Sequence, residues 1–396
     1  MINGTVRVVY MSKRKPRILI SAVTFPPDSN SIANAACVHA KIMQELGCEV
    51  DVVTAGDIVS RDVQDGLLVA RFPISGQGRL FSPHRGAVKE LKTFLSENRW
   101  DMVFMHCWQT WSTNCLLEYF ADKSRTEKLY LVSHGISTNT NYHPFPYNWI
   151  RRLLWLPYRK ITVPRYMRLL TKLVVLWDHN DNDRYLDHAL ARQMGISVNV
   201  IPNVARYNPM SLKRPSLRFS DEELAGGFLL SLGNYSDGKN ERFVLDAYRR
   251  SRMMDVPLIF VGYQFNDYSA NLEKIVRHWK LRNVQFCERL TKEEIDWLYR
   301  QATLFLCGSR TECQPLVILD CLASETAYIS TDVGCVKCLA GGIVVSSVEQ
   351  MAIELQSLFR NHLQREKLVR QGSSLYNKEF CFSAVRNKWD VLLNQT

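Results

Sequence analysis

The 396-residue chain carries 50 Lys and Arg against 39 Asp and Glu, a net charge of +11, and is 46% hydrophobic and 22% charged. That balance excludes a disordered chain, a collagen-like repeat and a disulfide-built mini-scaffold, and the length suits two or three domains. The basic excess fits an acidic partner (a phosphate-bearing ligand, nucleic acid or an anionic membrane) and says nothing of fold.

Arg17–Ala22 is a short apolar run that predicts a buried strand. After Pro26-Pro27-Asp28, residues Ile32, Ala35, Ala36, His39, Ile42, Met43 and Leu46 share one helical face, which Gly47 ends; Ser31 is the candidate N-cap. Strands are predicted at 49–54, 101–105, 128–133 and 199–201, alternating with helices near 84–98, 113–121 and 180–194. Such alternation means βαβ units and a parallel sheet covered on both faces. A polar, aperiodic stretch holding Pro209 and Pro215 reads as a linker. Strands then resume at 228–232, 258–261, 284–286, 304–306 and 328–330, with helices at 242–250, 269–279, 292–300 and 316–323. From Ser347 onward the chain is helical in character. The expected class is α/β, with two doubly wound, Rossmann-like parallel-sheet domains facing a central cleft, where ligands of such sheets bind. The expected domains are residues 1–205 and 206–379.

The eleven cysteines are odd in number and follow no repeat, and the start of the chain lacks a secretory apolar stretch. No apolar run reaches the roughly 18 residues of a spanning helix. Free thiols in the cytoplasm are expected. Cys335-Val-Lys-Cys338 has no second pair at zinc spacing and reads as coincidence. Neither G-x-G-x-x-G nor G-x-x-x-x-G-K-[ST] occurs, which disfavours dinucleotide oxidoreductases and P-loop enzymes.

The segment Cys307-Gly-Ser-Arg-Thr-Glu312-Cys-Gln-Pro-Leu-Val-Ile-Leu-Asp320, followed by Thr331-Asp-Val-Gly334, resembles the E-x7-E region of family 4 glycosyltransferases of the GT-B fold. Phe25-Pro-Pro-Asp28, His134-Gly135, Val200-Ile-Pro-Asn203, Leu232-Gly-Asn-Tyr-Ser-Asp-Gly-Lys239-Asn240 and Phe260-Val-Gly262 follow the family's order over most of the chain. The resemblance implies a retaining enzyme that uses a nucleotide-diphosphate sugar. It places Glu312 on a donor-sugar hydroxyl, Asp320 on the ribose, Lys239 on the phosphates and His134 near the reacting sugar. Gln314, Pro315, Leu316 and Gly334 complete the donor site. Physical chemistry agrees in part, since a helix opening at Pro315 aims unpaired N–H groups and a positive partial charge at a diphosphate. The C-terminal helix, 380–396, is expected to return to the first domain.

Two departures stand out. Asn234 occupies a position where many relatives carry arginine, and Arg310 is the candidate replacement cation. Asp320 stands for glutamate, one methylene shorter, so a ribose contact must come closer or pass through water. The front-face reaction of such enzymes demands no protein nucleophile, and none is nominated. Asp181-Asn-Asp183 resembles a metal-binding D-x-D but suits a helix start, so neither metal nor other cofactor is expected.

Tyr147–Lys172 holds seven cations, Arg151, Arg152, Arg159, Lys160, Arg165, Arg168 and Lys172, and no acid, with Trp149 and Trp155 among its aromatics. The segment reads as an anionic-membrane or acceptor surface broken by Pro157 and Pro164, or as a helix pair with a solvated basic side. A nucleic-acid groove also fits basic residues with aromatics, but no nucleic-acid module accompanies it. The expectation is hexose transfer from a nucleotide sugar to a glycan or lipid-linked acceptor in polysaccharide or lipopolysaccharide synthesis. Its setting would be the cytoplasm or the inner face of the plasma membrane, without a nucleic-acid partner. A pseudoenzyme that binds sugar nucleotides, and a sugar-nucleotide epimerase, are the alternatives.

Overall fold

The computed structural model describes residues 14–28, 30–77, 82–121, 126–136, 147–178 and 185–395. The chain divides into two compact units, Met1–Leu131 with Leu169–Thr171, and Val132–Arg168 with Lys172–Thr396. The polar stretch around Pro209 and Pro215 therefore lies inside the second unit.

The first unit contains β1 (Arg17–Ser21), α1 (Ser31–Glu45), β2 (Glu49–Ala55), β3 (Ser60–Gln64), β4 (Leu67–Phe72), a short pair β5 (Ile74–Ser75) and β6 (Arg85–Gly86), α2 (Val88–Glu97), β7 (Met102–His106) and α3 (Trp111–Ala121). Within this unit the strand order runs β7-β1-β2-β4-β3. β1 pairs in parallel with β2 and β7, and β2 in parallel with β4. The antiparallel β3–β4 hairpin departs from the predicted alternation. Its outer strand, Ser-Arg-Asp-Val-Gln, is polar and mostly exposed, so it lacks the apolar run that marked the other strands. The signal that would have found it is Asp65-Gly66, whose φ values of 48° and 77° suit a two-residue hairpin turn. Ser31 is not the N-cap of α1. Asn30 is, its side chain accepting from the Ile32 and Ala33 N–H groups.

β8 (Lys128–Ser133) leads into the second unit, which continues with α4 (Tyr147–Pro157), a π-helical turn (Tyr158–Thr162), α5 (Val163–Met167), β9 (Lys172–Val175), α6 (Leu186–Gln193), β10 (Val198–Val200) and α7 (Asp221–Ala225). Then come β11 (Leu229–Leu232), α8 (Glu241–Arg250), β12 (Leu258–Gly262), α9 (Asp267–His278), β13 (Val284–Glu288), α10 (Lys292–Gln301), β14 (Leu304–Cys307), α11 (Leu316–Ser324), β15 (Tyr328–Thr331) and β16 (Gly342–Val345). The helices α12 (Val348–Arg360), α13 (His362–Leu375) and α14 (Phe382–Asn394) follow. Pro157 and Pro164 do not break the basic segment as expected. The chain stays helical from 147 to 167, the Val163 N–H reaching back to the Tyr158 carbonyl in a wide turn that Pro164 directly follows.

β11 to β16 form one sheet in the order β13-β12-β11-β14-β15-β16, with every pairing parallel. Alternate strand residues explain why it is covered on both sides. Leu229, Leu258, Phe260, Leu304, Leu306 and Ile329 pack with Val244, Leu245 and Tyr248 of α8 and Leu355 and Leu358 of α12. Leu230, Ile259, Val261, Phe305 and Tyr328 pack with Leu298 and Tyr299 of α10 and Ile318, Leu319 and Leu322 of α11. β16 escaped prediction because its four residues follow Gly341 and are largely half-buried.

Candidate functional site

In this sheet the strand order reverses between β11 and β14, and a doubly wound sheet opens a crevice at such a point, beyond the carboxyl ends of the two strands. The two turns that leave those ends are bound to each other. The Asn240 side chain donates to the Gly308 carbonyl at 3.1 Å, and the Arg310 N–H donates to the Gly238 carbonyl at 2.9 Å. Arg310 also donates through Nε to the Asp237 carbonyl at 3.2 Å and pairs with the Asp237 carboxylate at 3.5 Å. Across this seam the Lys239 ammonium pairs with Oε1 of Glu312, which also accepts from Ser309 Oγ at 3.1 Å. Lys239 and Glu312 are thus brought together at the switch point. Burial pulls the lysine's pKa down, but the adjacent Glu312 carboxylate outweighs it and holds the net value above the ordinary one, so the ammonium stays charged.

The Glu312 loop is braced from three sides. Thr331 Oγ1 donates to the Ser309 carbonyl at 2.6 Å, and the Cys335 N–H to the Cys313 carbonyl at 3.1 Å. Gly334 permits the second contact, for at its φ of 54° a β-carbon would stand 2.0 Å from the Cys313 oxygen. On the third side the Tyr185 hydroxyl donates to the Glu312 carbonyl. The Tyr185 ring lies over Gly135, whose absent β-carbon would meet it at 2.7 Å and the Cys313 sulfur at 3.2 Å. His134, at the end of β8, therefore belongs to a turn that touches the Glu312 loop. Burial lowers its imidazole to about 4, which leaves the ring neutral at physiological pH.

Asp320 takes a different place. It is buried within α11, and its carboxylate accepts from the Arg206 N–H at 2.6 Å, Arg206 Nε at 3.0 Å and the Tyr207 N–H at 3.2 Å, besides pairing with the far end of the guanidinium. Gln314 is likewise engaged, accepting from the Asn203 N–H at 2.7 Å and donating to the Leu176 carbonyl at 3.0 Å. Pro315 is the N-cap of α11 and not part of its first turn, and Leu316 is its first residue, where the helix was expected to start. Asn234 is exposed on the turn after β11. Arg206, Ser309, Tyr185 and Glu241 were not singled out from sequence. Arg206 sits alone in an aperiodic stretch, and only its distant partner Asp320 gives it meaning.

Along α4 and the turn after it, Trp149, Ile150, Leu153, Leu154 and Ile161 are exposed, Leu154 by 69%. Trp155 instead turns edge-on to the buried Tyr158, while Lys160, Arg165 and Arg168 are exposed. The backbone at Arg151 and Arg152 is helical and Arg159 is half-buried. No described helix is long and apolar enough to cross a membrane. Asp181 and Asp183 lie outside the described residues.

Residues 227–361 match the family model described as "Glycosyl transferases group 1". That stretch contains both turns of the switch point. No curated protein matches the chain by sequence. Among solved structures it is similar to sucrose-phosphate synthase from Thermosynechococcus elongatus, with a TM-score of 0.70 and 15% identity over 96% of this chain and 99% of that one. The Anabaena protein HepE, in complex with UDP and glucose, gives 0.69 and 13% over 96% and 100%. A trehalose 6-phosphate synthase from Burkholderia multivorans gives 0.69 and 13% over 96% and 98%. The fold is the parallel-sheet α/β fold of these GT-B glycosyltransferases, with Rossmann-like domains.

Proposed function

We propose that this protein is a glycosyltransferase that draws on a nucleotide-diphosphate sugar, as the resemblance of its Glu312 and Lys239 segments to family 4 implies. The observation that carries the reading is the Lys239–Glu312 pair, set at the switch point beside the start of α11. An ammonium and a nearby helix N-terminus supply the positive charge that a departing diphosphate requires. A carboxylate beside them is suited to accept from a sugar hydroxyl. The group 1 match over residues 227–361 and the UDP and glucose bound to the Anabaena neighbour support a nucleotide-sugar donor.

The reaction proceeds on one face of a hexose and retains its configuration. The acceptor oxygen bonds to the anomeric carbon as the carbon–phosphate oxygen bond breaks, and the acceptor's proton passes to the departing phosphate oxygen. No protein nucleophile and no metal take part. The neutral His134 ring stands beside the sugar, and Arg310 stiffens the Lys239 turn through Asp237. The acceptor is a glycan or lipid-linked sugar of cell-surface polysaccharide or lipopolysaccharide. The exposed Trp149, Leu153, Leu154 and Ile161 with their neighbouring cations dock the protein at the anionic, cytoplasmic face of the membrane.

A panel of nucleotide sugars scored by thermal shift, followed by mass spectrometry of products, tests this reading. Transfer should survive EDTA. Binding without turnover would favour a sugar-nucleotide-binding pseudoenzyme, and an isomerised donor without acceptor an epimerase. Flotation should recover the protein with anionic vesicles and leave it behind with neutral ones.

A further inference from the structure

Glu241 opens α8 two positions beyond Lys239, yet it is only 4% exposed. Among the described residues no side chain hydrogen-bonds either of its carboxyl oxygens, and only the main-chain N–H groups of Glu241 and Ser236 lean toward them. An acid in the first turn of a helix ordinarily faces water, where the helix start stabilises its charge at no desolvation penalty. Here the rest of the buried face of α8 is Val244, Leu245, Ala247 and Tyr248, and an apolar residue at 241 would suit it better. Beyond those N–H groups the surroundings offer little to a charge. Lys239 approaches from the preceding turn but is already paired with Glu312. Tyr235, before that turn, spends its hydroxyl on the Phe260 and Cys287 carbonyls. Tyr268 of α9 is within electrostatic reach, and its buried hydroxyl also has no partner among the described residues. Arg242 is drawn away by Asp246 and the Trp279 ring, and Asp237 and Arg310 are occupied with each other.

We propose that Glu241 is a positioning residue for the donor diphosphate, admitting it when neutral and opposing it when ionised, by competing for the Lys239 ammonium. The proposal rests on the donor reading above. An ionised Glu241 gives Lys239 two carboxylates, and a diphosphate must displace part of that attraction. A neutral carboxyl removes the competitor. Burial raises this carboxyl to about 7, against Lys239 and the N–H groups of Glu241 and Ser236, which lower it. A raised acid is protonated below that value and ionised above it, so donor affinity should fall as pH rises through neutrality.

The test uses UDP-, ADP- and GDP-glucose, whose diphosphates do not titrate near neutrality, and measures the Kd of the tightest by calorimetry from about pH 6 to about pH 8.5. Wild type should bind roughly three- to tenfold more weakly at the upper end. Glu241→Gln should flatten the profile, and Glu241→Leu, which suits the apolar face, should do the same. Lys239→Ala serves as the control for the site. If none of the three sugars binds, or if Lys239→Ala leaves binding intact, the donor reading falls and takes the proposal with it. If Lys239→Ala weakens binding but Glu241→Gln keeps the wild-type slope, the role of Glu241 alone is overturned.

Discussion

Glu312 and Asp320 stand eight residues apart, on the loop before α11 and within that helix, and the structure treats them in opposite ways. Glu312 faces Lys239 and Ser309 across the switch point, its side chain 15% exposed. Asp320, 3% exposed, has both oxygens filled by Arg206 and the Tyr207 N–H. A carboxylate whose partner is a partly exposed ammonium can trade it for a ligand. One that satisfies buried backbone N–H groups cannot let go without stranding them. Spacing along the chain does not separate the two roles; the saturation of the surroundings does.

The largest effect should come from Asp320→Ala. It leaves the Arg206 guanidinium buried beside an empty site, and the loss of one partner of such a pair costs about 3–5 kcal/mol. A denaturant titration should show a clearly lowered midpoint. Asp320→Ala with wild-type stability and lost donor binding would break the contrast and return position 320 to the ribose.

Next is Glu312→Gln. Removing a group that acts in the transition state should lower kcat/KM by roughly 10²–10³. Gln keeps an oxygen for Lys239 and Ser309 but not the charge, so stability should fall by about 1–3 kcal/mol, less than for Asp320→Ala. An unfolded variant would show that Glu312 shares the structural duty of Asp320.

Gln314→Ala sharpens the contrast from between the two. Its amide joins the Asn203 N–H to the Leu176 carbonyl, so it should behave like Asp320 on a smaller scale. A loss of about 1–3 kcal/mol is expected, read by thermal or chemical unfolding. Donor affinity should hold at temperatures where the variant is folded.

What was legible in the sequence follows the same physics. Five of the six strands of the second sheet, all but β16, were readable, because burial on both faces makes Leu258-Ile-Phe-Val and Leu304-Phe-Leu continuous apolar runs. Strand β3 was not, since an exposed edge strand needs no apolar residue. The meeting of Lys239 with Glu312 was approachable because each lies just beyond a predictable strand, and sheet topology converts that into proximity. The Arg206–Asp320 contact spans 114 residues and joins an aperiodic stretch to a helix core, so no local pattern announces it. Glu241 was hidden for another reason. At a helix start an acid is the ordinary choice, and only burial makes this one unusual.

The smallest expected effect is that of Tyr185→Phe. Its hydroxyl donates to the main-chain oxygen of Glu312, and its ring covers Gly135 next to His134. The variant keeps the ring and removes one hydrogen bond, about 0.5–1.5 kcal/mol in stability. That oxygen belongs to the loop and not to the carboxylate, so the Glu312–Lys239 pair should survive while its backbone loosens. KM for the donor should then rise by a small factor and kcat should stay close to wild type. A fall in kcat as large as that of Glu312→Gln would mean that the position of the Glu312 backbone, and not its freedom to exchange partners, is what distinguishes it from Asp320.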